Sequence, residues 1–417
     1  MIDHDVKIGP IRRCQVCGSD SLDPVIDLGH QPLCDSLLTA EQLDGPEPTF
    51  PLRLVRCPVC GLGQLDYAVD GSVVYHPAYP YRSGITREVV QHMEGLADFV
   101  VGLGVGAGAF AVDIGSNDGT LLGAIKRRGA RVLGVEPTNI AQIARAAGVE
   151  TVQSLFTEKL ARDIVKEHGH ADLLTATNMF AHMTMLGEVM RAAEALLRDG
   201  GAFVIEAHYL IEILRKGQYD SIYHEHLRSY SLKSLCMLFS MYDFTVVDAE
   251  VMDRYSGTLR LTARKGNGHA AQARVGELLD AEIRFGLFEP KIYRDFVDRV
   301  QRARADLLGL ALDSWRRGLR LVGNSCPGRC STLINYTGID RSLMPYIYEQ
   351  PTSLKLGMYL PGKHIPIVNN ARLTEEKSDY VVLLAWHYAE PIMAELRGRG
   401  VKAKLVIPLP ELRIVEP

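Results

Sequence analysis

Residues 111–120 read Ala111-Val-Asp113-Ile-Gly115-Ser-Asn-Asp-Gly119-Thr120, and residues 131–137 read Arg131-Val-Leu-Gly-Val-Glu136-Pro137. Each is an apolar run ending on an acid, and the first continues into a loop with glycines at 115 and 119. Strand, glycine loop and second strand at this spacing make one βαβ unit, the front half of a doubly wound α/β domain. In such a unit the loop lets backbone approach a ligand, and the acid ending the second strand takes the two hydroxyls of a ribose. The loop is not Gly-x-Gly-x-x-Gly, and it sets the carboxylate of Asp113 where a pyrophosphate would lie. That suits a ligand with no phosphate and a positive end. S-adenosylmethionine (SAM), adenosine carrying an ammonium and a sulfonium, is such a ligand. A phosphate-bearing dinucleotide and a glycine turn without ligand are the competing readings. The cofactor candidates here are Asp113, Gly115, Ser116, Asn117, Asp118, Gly119, Glu136 and Pro137.

Upstream of this unit, Cys14-Gln-Val-Cys17-Gly and Cys57-Pro-Val-Cys60-Gly are two matched Cys-x-x-Cys knuckles. Four thiolates are a tetrahedral Zn2+ ligand set, and four protein ligands leave no open position, so the metal is expected to be structural. A redox dithiol is the alternative, and duplication of the knuckle argues against it. The other four cysteines, at 34, 236, 326 and 330, follow no ligand spacing and read as buried or loop thiols. The 417 residues predict two or three domains. A net charge of −4 offers nucleic acid or an anionic membrane no general attraction. No apolar run has the length of a membrane span, and the N-terminus lacks a charged-then-apolar signal, so a cytoplasmic protein with reduced cysteines is expected. The expected assembly is a monomer or weak homo-oligomer.

The chain reads in three parts: a zinc-binding module over 1–72, a SAM-binding domain over 73–265 with its leading loop and helix at 73–101, and a smaller α/β domain over 266–417. Strands are expected at 110–114, 131–135, 172–176, 202–206, 244–249 and 257–264, the last two completing the sheet with an antiparallel edge. Residues 270–317 have apolar residues at helical spacing. Strands near 320–323, 346–348, 380–384 and 403–407, with helices near 331–338 and 391–399, make the second α/β unit. Tyr75, Tyr79 and Tyr81 give the leading loop an aromatic surface that could close over a substrate.

In open α/β sheets ligands bind beyond the carboxyl ends of strands. Strand 172–176 runs into Thr177-Asn178-Met-Phe-Ala-His182, which places Asn178 and His182 toward cofactor or substrate. Tyr223-His-Glu225-His226 follows later. His-x-His invites a metal reading, but no third ligand stands at an obvious spacing and His-Glu-x-x-His is absent. An acid/base set fits better: an imidazole near its working pKa, a carboxylate to orient it, and a phenol to polarise an oxygen. The bland alternative is a polar loop packed on the sheet.

The two knuckles, then Val112-Asp-Ile-Gly-Ser-Asn-Asp-Gly-Thr120, Asn178-Met-Phe-Ala-His182, Tyr223-His-Glu-His226 and Tyr359-Leu-Pro-Gly-Lys-His-Ile-Pro-Ile367, resemble in order the SAM-dependent sugar C-methyltransferases of deoxysugar biosynthesis. Within that family the chain is most similar to the C-3'-methyltransferases of the tetronitrose and kijanose pathways. The resemblance implies an α/β fold with a central doubly wound, Rossmann-like SAM-methyltransferase domain, a small N-terminal zinc-binding module and a smaller Rossmann-like C-terminal domain. It implies SAM as cofactor and a thymidine-diphosphate (dTDP) 4-keto-deoxysugar as substrate, in antibiotic deoxysugar biosynthesis. It implies that Tyr223, Glu225 and His226 line the site, with His226 as the base. Glu225 is expected to orient it, and Tyr223 or His182 to donate to the enolate oxygen. Lys355, Lys363 and His364 are candidates for the diphosphate, because Pro-Gly turns expose backbone N–H groups beside a basic side chain. Two other classes stay open: an NAD-dependent nucleotide-sugar oxidoreductase or epimerase, and a non-catalytic zinc-ribbon adaptor.

Overall fold

The computed structural model describes residues 2–74, 84, 87–254 and 257–416. Its central sheet has seven strands, in the order Phe244–Met252, Thr258–Lys265, Leu197–His208, Ala171–Thr177, Phe110–Ile114, Arg131–Val135 and Thr151–Val152. The last five are mutually parallel. Every side chain of Phe110–Ile114 is buried, as expected of a parallel strand covered on both faces, and this is why the segment reads as a continuous apolar run. From Phe110–Ile114 the chain first builds outward to one side, then crosses back to place Ala171–Thr177 on the other. Ligands bind at such a switch point, beyond the carboxyl ends of the strands.

As the sequence suggests, strands Phe244–Met252 and Thr258–Lys265 complete the sheet at an antiparallel edge, with Phe244–Met252 outermost. Thr258–Lys265 lies between Leu197–His208 and Phe244–Met252, antiparallel to both. Charge fixes this order. Arg260 stands opposite Glu206 on one side and Glu250 on the other, and its guanidinium reaches Glu206 at 2.6 Å and Glu250 at 2.9 Å. Opposite charges directly across a ladder favour the pairing, and Glu206 is fully buried, so no other register satisfies it. His92, on helix Arg87–Gly102, donates to the second Glu206 oxygen at 2.7 Å and ties that helix to the sheet.

The N-terminal module is a four-stranded antiparallel sheet in the order Arg228–Ser229, Gly63–Leu65, Phe50–Arg56 and Asp23–Gln31. Its first strand belongs to the segment that immediately follows Tyr223–His226, so the module is stitched to the central domain by a ladder. Helix Ala273–Phe285 ends at Gly286 in the left-handed region, and helix Pro290–Arg316 starts with proline in its first turn. The second helix buries Tyr293, Phe296, Val300, Ala303, Leu307, Ala311 and Ser314, a spacing of three and four that makes one continuous stripe.

The C-terminal sheet has six strands, in the order Ile367–Asn369, Ile347–Glu349, Leu321–Asn324, Tyr380–Leu383, Lys404–Ile407 and Arg413–Val415. All are parallel but the last. This is a second doubly wound sheet, with its own switch point between Leu321–Asn324 and Tyr380–Leu383. Thr151–Val152, Ile367–Asn369 and Arg413–Val415 carry too few residues to show a pattern in sequence. Among the described residues no helix is long and apolar enough to cross a membrane.

Candidate active site and metal centre

The four knuckle cysteines converge. Cys14 and Cys60 sulfurs are 3.5 Å apart, Cys17 and Cys57 sulfurs 3.4 Å, and all four lie within 4.8 Å of one another. A tetrahedron with Zn–S near 2.3 Å has edges of about 3.8 Å, so the cradle has the size of a zinc site. Both knuckles fold alike. Gly18 N–H donates to the Cys14 carbonyl and Gly61 N–H to the Cys57 carbonyl, each at 3.0 Å. Cys14 N–H donates to the Ser19 carbonyl and Cys57 N–H to that of Leu62, each at 2.8 Å.

The cofactor candidates gather at the carboxyl ends of three adjacent parallel strands. Gly115 and Gly119 have φ of +65° and +78°, which other residues adopt only with strain. A side chain on Gly119 would also stand 3.1 Å from Val149. Asp113 is buried and accepts from the Thr175 hydroxyl at 2.6 Å. Burial raises its pKa to about 7 despite that hydrogen bond, with help from the charges of Glu136 and Glu206. Glu136 ends the second strand, accepting from Asn117 N–H at 3.1 Å and Thr138 N–H at 2.8 Å. A carboxylate has about four acceptor sites, so it retains capacity for two hydroxyls. Pro137 follows it at the exit of the strand. Asn117 and Asn178 both adopt positive φ, +51° and +55°, at the two loop positions that flank the switch point. Asn178 Oδ1 and Ser116 Oγ are buried without a hydrogen-bond partner among the described residues. An orphaned acceptor beside buried carboxylates fits a ligand rich in N–H donors, such as SAM. Asp118 instead accepts from Thr120 and from Gly84 N–H at 2.8 Å, so it ties the leading segment to the loop.

The second cluster lies one strand further along. His226 is ringed by aromatic neighbours: Tyr223 at 3.9 Å between ring centroids, His208 at 4.6 Å and His182 at 4.8 Å. Its Nδ1 is 2.7 Å from the Ser221 carbonyl. A carbonyl only accepts, so Nδ1 carries the hydrogen and Nε2 keeps its lone pair. This corrects two expectations. The Ser221 carbonyl sets the tautomer, whereas Glu225 faces Cys34 at 3.4 Å and His182 at 3.7 Å. Nor does His226 sit near its ordinary pKa. Burial, reinforced by His208 and His182, pushes it well below 6.5. Burial likewise lowers His182 to about 4 and His208 to about 3. Burial therefore keeps these imidazoles neutral. Among the described residues no three histidine nitrogens come within ligating reach of one another.

The C-terminal domain adds residues to this cluster. Loops 325–329 and 384–388 leave the carboxyl ends of its two central strands, and both reach the central domain. Arg329 forks onto Asp220 with two hydrogen bonds of 2.8 Å, and Trp386 Nε1 donates to the same carboxylate at 2.7 Å. Desolvation pushes the half-buried His387 well below 6.5, and Arg329 and His208 add to the shift. Two doubly wound sheets thus present their ligand-binding ends to one space. His208, last residue of Leu197–His208, has no role in the sequence reading, and His387, in the turn after Tyr380–Leu383, escapes it.

The remaining substrate candidates are placed differently. Tyr75, Tyr79 and Tyr81 lie outside the described residues. Lys355 is held by Asp35 at 3.1 Å and donates to the Cys326 carbonyl at 2.9 Å. The turn expected to offer backbone N–H groups to a diphosphate turns toward Glu47: Gly362 N–H donates to its carboxylate at 2.8 Å, and the His364 ring Nε2 lies 3.1 Å from it. The Pro-Gly-Lys-His segment is therefore a docking contact with the zinc module, its donors already taken by a carboxylate. Lys363 is half-buried there and acts on Asp340.

Over 414 residues the chain is 34% identical to the C-methyltransferase NovU of Streptomyces niveus, covering 98% of both proteins. The chain belongs to this C-methyltransferase family. Residues 14–75 match the family model described as "Putative zinc binding domain", residues 104–249 a methyltransferase domain, and residues 254–410 a C-methyltransferase C-terminal domain. The enzyme is a SAM-dependent C-methyltransferase, with SAM on the central fold and zinc on the four clustered cysteines. That removes the oxidoreductase and adaptor readings. A shorter likeness, 28% over 145 residues, joins the central domain to the ubiquinone biosynthesis O-methyltransferase of Acinetobacter baylyi, covering 29% of this chain and 58% of that one. The crystal structure of the PH0226 protein from Pyrococcus horikoshii aligns over 48% of this chain and 100% of its own at 15% identity, with a TM-score of 0.37, too low to bear on the site.

Proposed function

We propose that this C-methyltransferase acts on C-3' of a dTDP-linked 4-keto-deoxysugar, a 3-amino-2,3,6-trideoxy-4-keto-hexose, in antibiotic deoxysugar biosynthesis. The observation that carries the reading is the buried His226, hydrogen-bonded through Nδ1 and left with a lone pair at Nε2. Carbon methylation needs a carbanion equivalent. A ketone at C-4' acidifies the C-3' proton, and a neutral imidazole can take it. The depressed pKa makes His226 a weak base on its own, but an enolate forming beside the imidazolium stabilises the pair among buried groups. Tyr223, whose ring lies tilted against His226, or His182 donates to the enolate oxygen. SAM, when bound, supplies an electrophilic methyl whose sulfonium leaves as a neutral thioether. The new C–C bond forms as the S–CH3 bond breaks, and the ketone is restored. The C-terminal domain, whose strand ends face the same cluster, would hold the nucleotide.

The test is incubation with SAM and a panel of dTDP-4-keto sugars, followed by mass analysis and location of the new methyl group. Methylation at C-3', with C-3' hydrogen exchange in deuterated water, supports the reading. Methylation at oxygen, or at another carbon, overturns it.

A further inference from the structure

Residues 32–47 leave the zinc-module strand Asp23–Gln31 and cross the C-terminal domain. Leu38 and Tyr359 exchange backbone hydrogen bonds at 3.1 and 2.9 Å, and Glu47 holds the turn at 362. Between strand and anchor the chain bends at Leu33-Cys34-Asp35-Ser36, closed by Ser36 N–H on the Leu33 carbonyl. Two successive side chains of this bend reach two different domains. Cys34 is buried, with its sulfur 3.4 Å from Glu225 Oε1 in the central domain. Asp35 takes Lys355 Nζ at 3.1 Å, and the same Nζ donates to the carbonyl of Cys326 at 2.9 Å. Cys326 opens the loop that carries Arg329. Gly328 leaves room for this contact, since a side chain there would begin 2.8 Å from the Asp35 carboxylate.

A carboxylate offers no hydrogen, so in the Cys34–Glu225 contact the thiol is the donor. Burial and the adjacent charges of Glu225 and Asp35 push the thiol pKa far up, which keeps the proton on sulfur. Cys34, Asp35 and Glu225 bring three ligand atoms together. A cation among them would need the thiolate and would compete with Lys355 for Asp35, so a protonated thiol is the better reading.

We propose that Cys34 is a positioning residue for methyl transfer: the zinc module holds the Glu225 carboxylate through Cys34, while Asp35 pins the facing C-terminal loop through Lys355. With Oε1 held by the thiol, Oε2 stays directed toward His182. This inference rests on Glu225 lining the active site.

The test compares Cys34→Ala with Cys34→Ser. Loss of one hydrogen bond to a charged group, from a weak donor, should lower kcat roughly tenfold in Cys34→Ala. SAM affinity by calorimetry should be unchanged, and serine, whose hydroxyl can donate, should restore most of the loss. An infrared S–H band present in the wild type and absent from Cys34→Ser should lie below the free-thiol frequency and move up in Glu225→Gln. Wild-type kcat in Cys34→Ala, equal impairment by alanine and serine, or a band at the free-thiol frequency each overturns the proposal. A wild-type enzyme that methylates no dTDP-4-keto sugar overturns the substrate reading instead, and the infrared band then decides the thiol–carboxylate contact alone.

Discussion

His226 is held by one backbone carbonyl and surrounded by three rings, and its chemistry follows from that enclosure. Burial keeps the imidazole neutral, and it strengthens the attraction to any anion that forms against it. Loss of a general base costs about 10²–10⁴-fold. His226→Asn should therefore lower kcat by that factor with SAM affinity retained, and should slow C-3' exchange in deuterated water in parallel. Near-normal turnover in this variant, with loss in Tyr223→Phe or His182→Asn, would move the base to one of those residues. Asp113 gives a second residue-scale expectation. Its carboxyl is raised to about 7 by burial, so it is ionised only above that pH. A cationic methionine end binds the ionised form. SAM affinity should fall as pH drops from about 8 to about 6, with a limiting slope of roughly tenfold per unit below the pKa. Calorimetry across this window checks it, and Asp113→Asn should remove the pH dependence. A flat profile in the wild type would place Asp113 away from the charged end.

At the scale of elements, the knuckles are the clearest unit. Each fixes two sulfurs by the same local hydrogen bonds, yet neither closes a site alone. Binding free energy of the metal is therefore folding free energy of the module. Elemental analysis should find about one zinc per chain. A strong chelator, or Cys14→Ser, should lower the melting temperature and kcat together, because strand Arg228–Ser229 ties the module to the segment bearing His226. Metal-free protein with unchanged melting and full activity would contradict the structural role. The turn at 361–364 teaches the opposite lesson. Its composition advertises an anion site, but Glu47 from a distant part of the chain takes the donors. Composition describes what a turn offers and not what fills it.

For the whole molecule, the decisive contact is Asp220 with Arg329 and Trp386. Asp220 is fully buried, and Arg329 nearly so. Removing one partner of a buried ion pair leaves a charge without compensation and costs about 3–5 kcal/mol. Asp220→Ala should lower stability by that order, measured by denaturant unfolding, and should depress kcat because loops 325–329 and 384–388 lose their seat. Unchanged stability and turnover would show that the domains are held together elsewhere.

The sequence by itself determined the parts whose signals are local. The Cys-x-x-Cys pairs fix their own hydrogen bonds, the glycine loop needs positive φ, and buried parallel strands must be apolar throughout. These features made the zinc ligands, the Asp113–Glu136 unit and both α/β sheets legible. The tertiary structure alone decided which carbonyl orients His226, which of the two antiparallel-edge strands lies outermost, and which partner neutralises Lys355 and the 361–364 turn. The Ser221–His226 contact spans five residues and depends on how the loop folds, whereas the others join residues far apart in the chain. A buried polar group must be satisfied, but the sequence does not say by whom; only the folded packing brings Asp35 to Lys355 and Glu47 to Gly362.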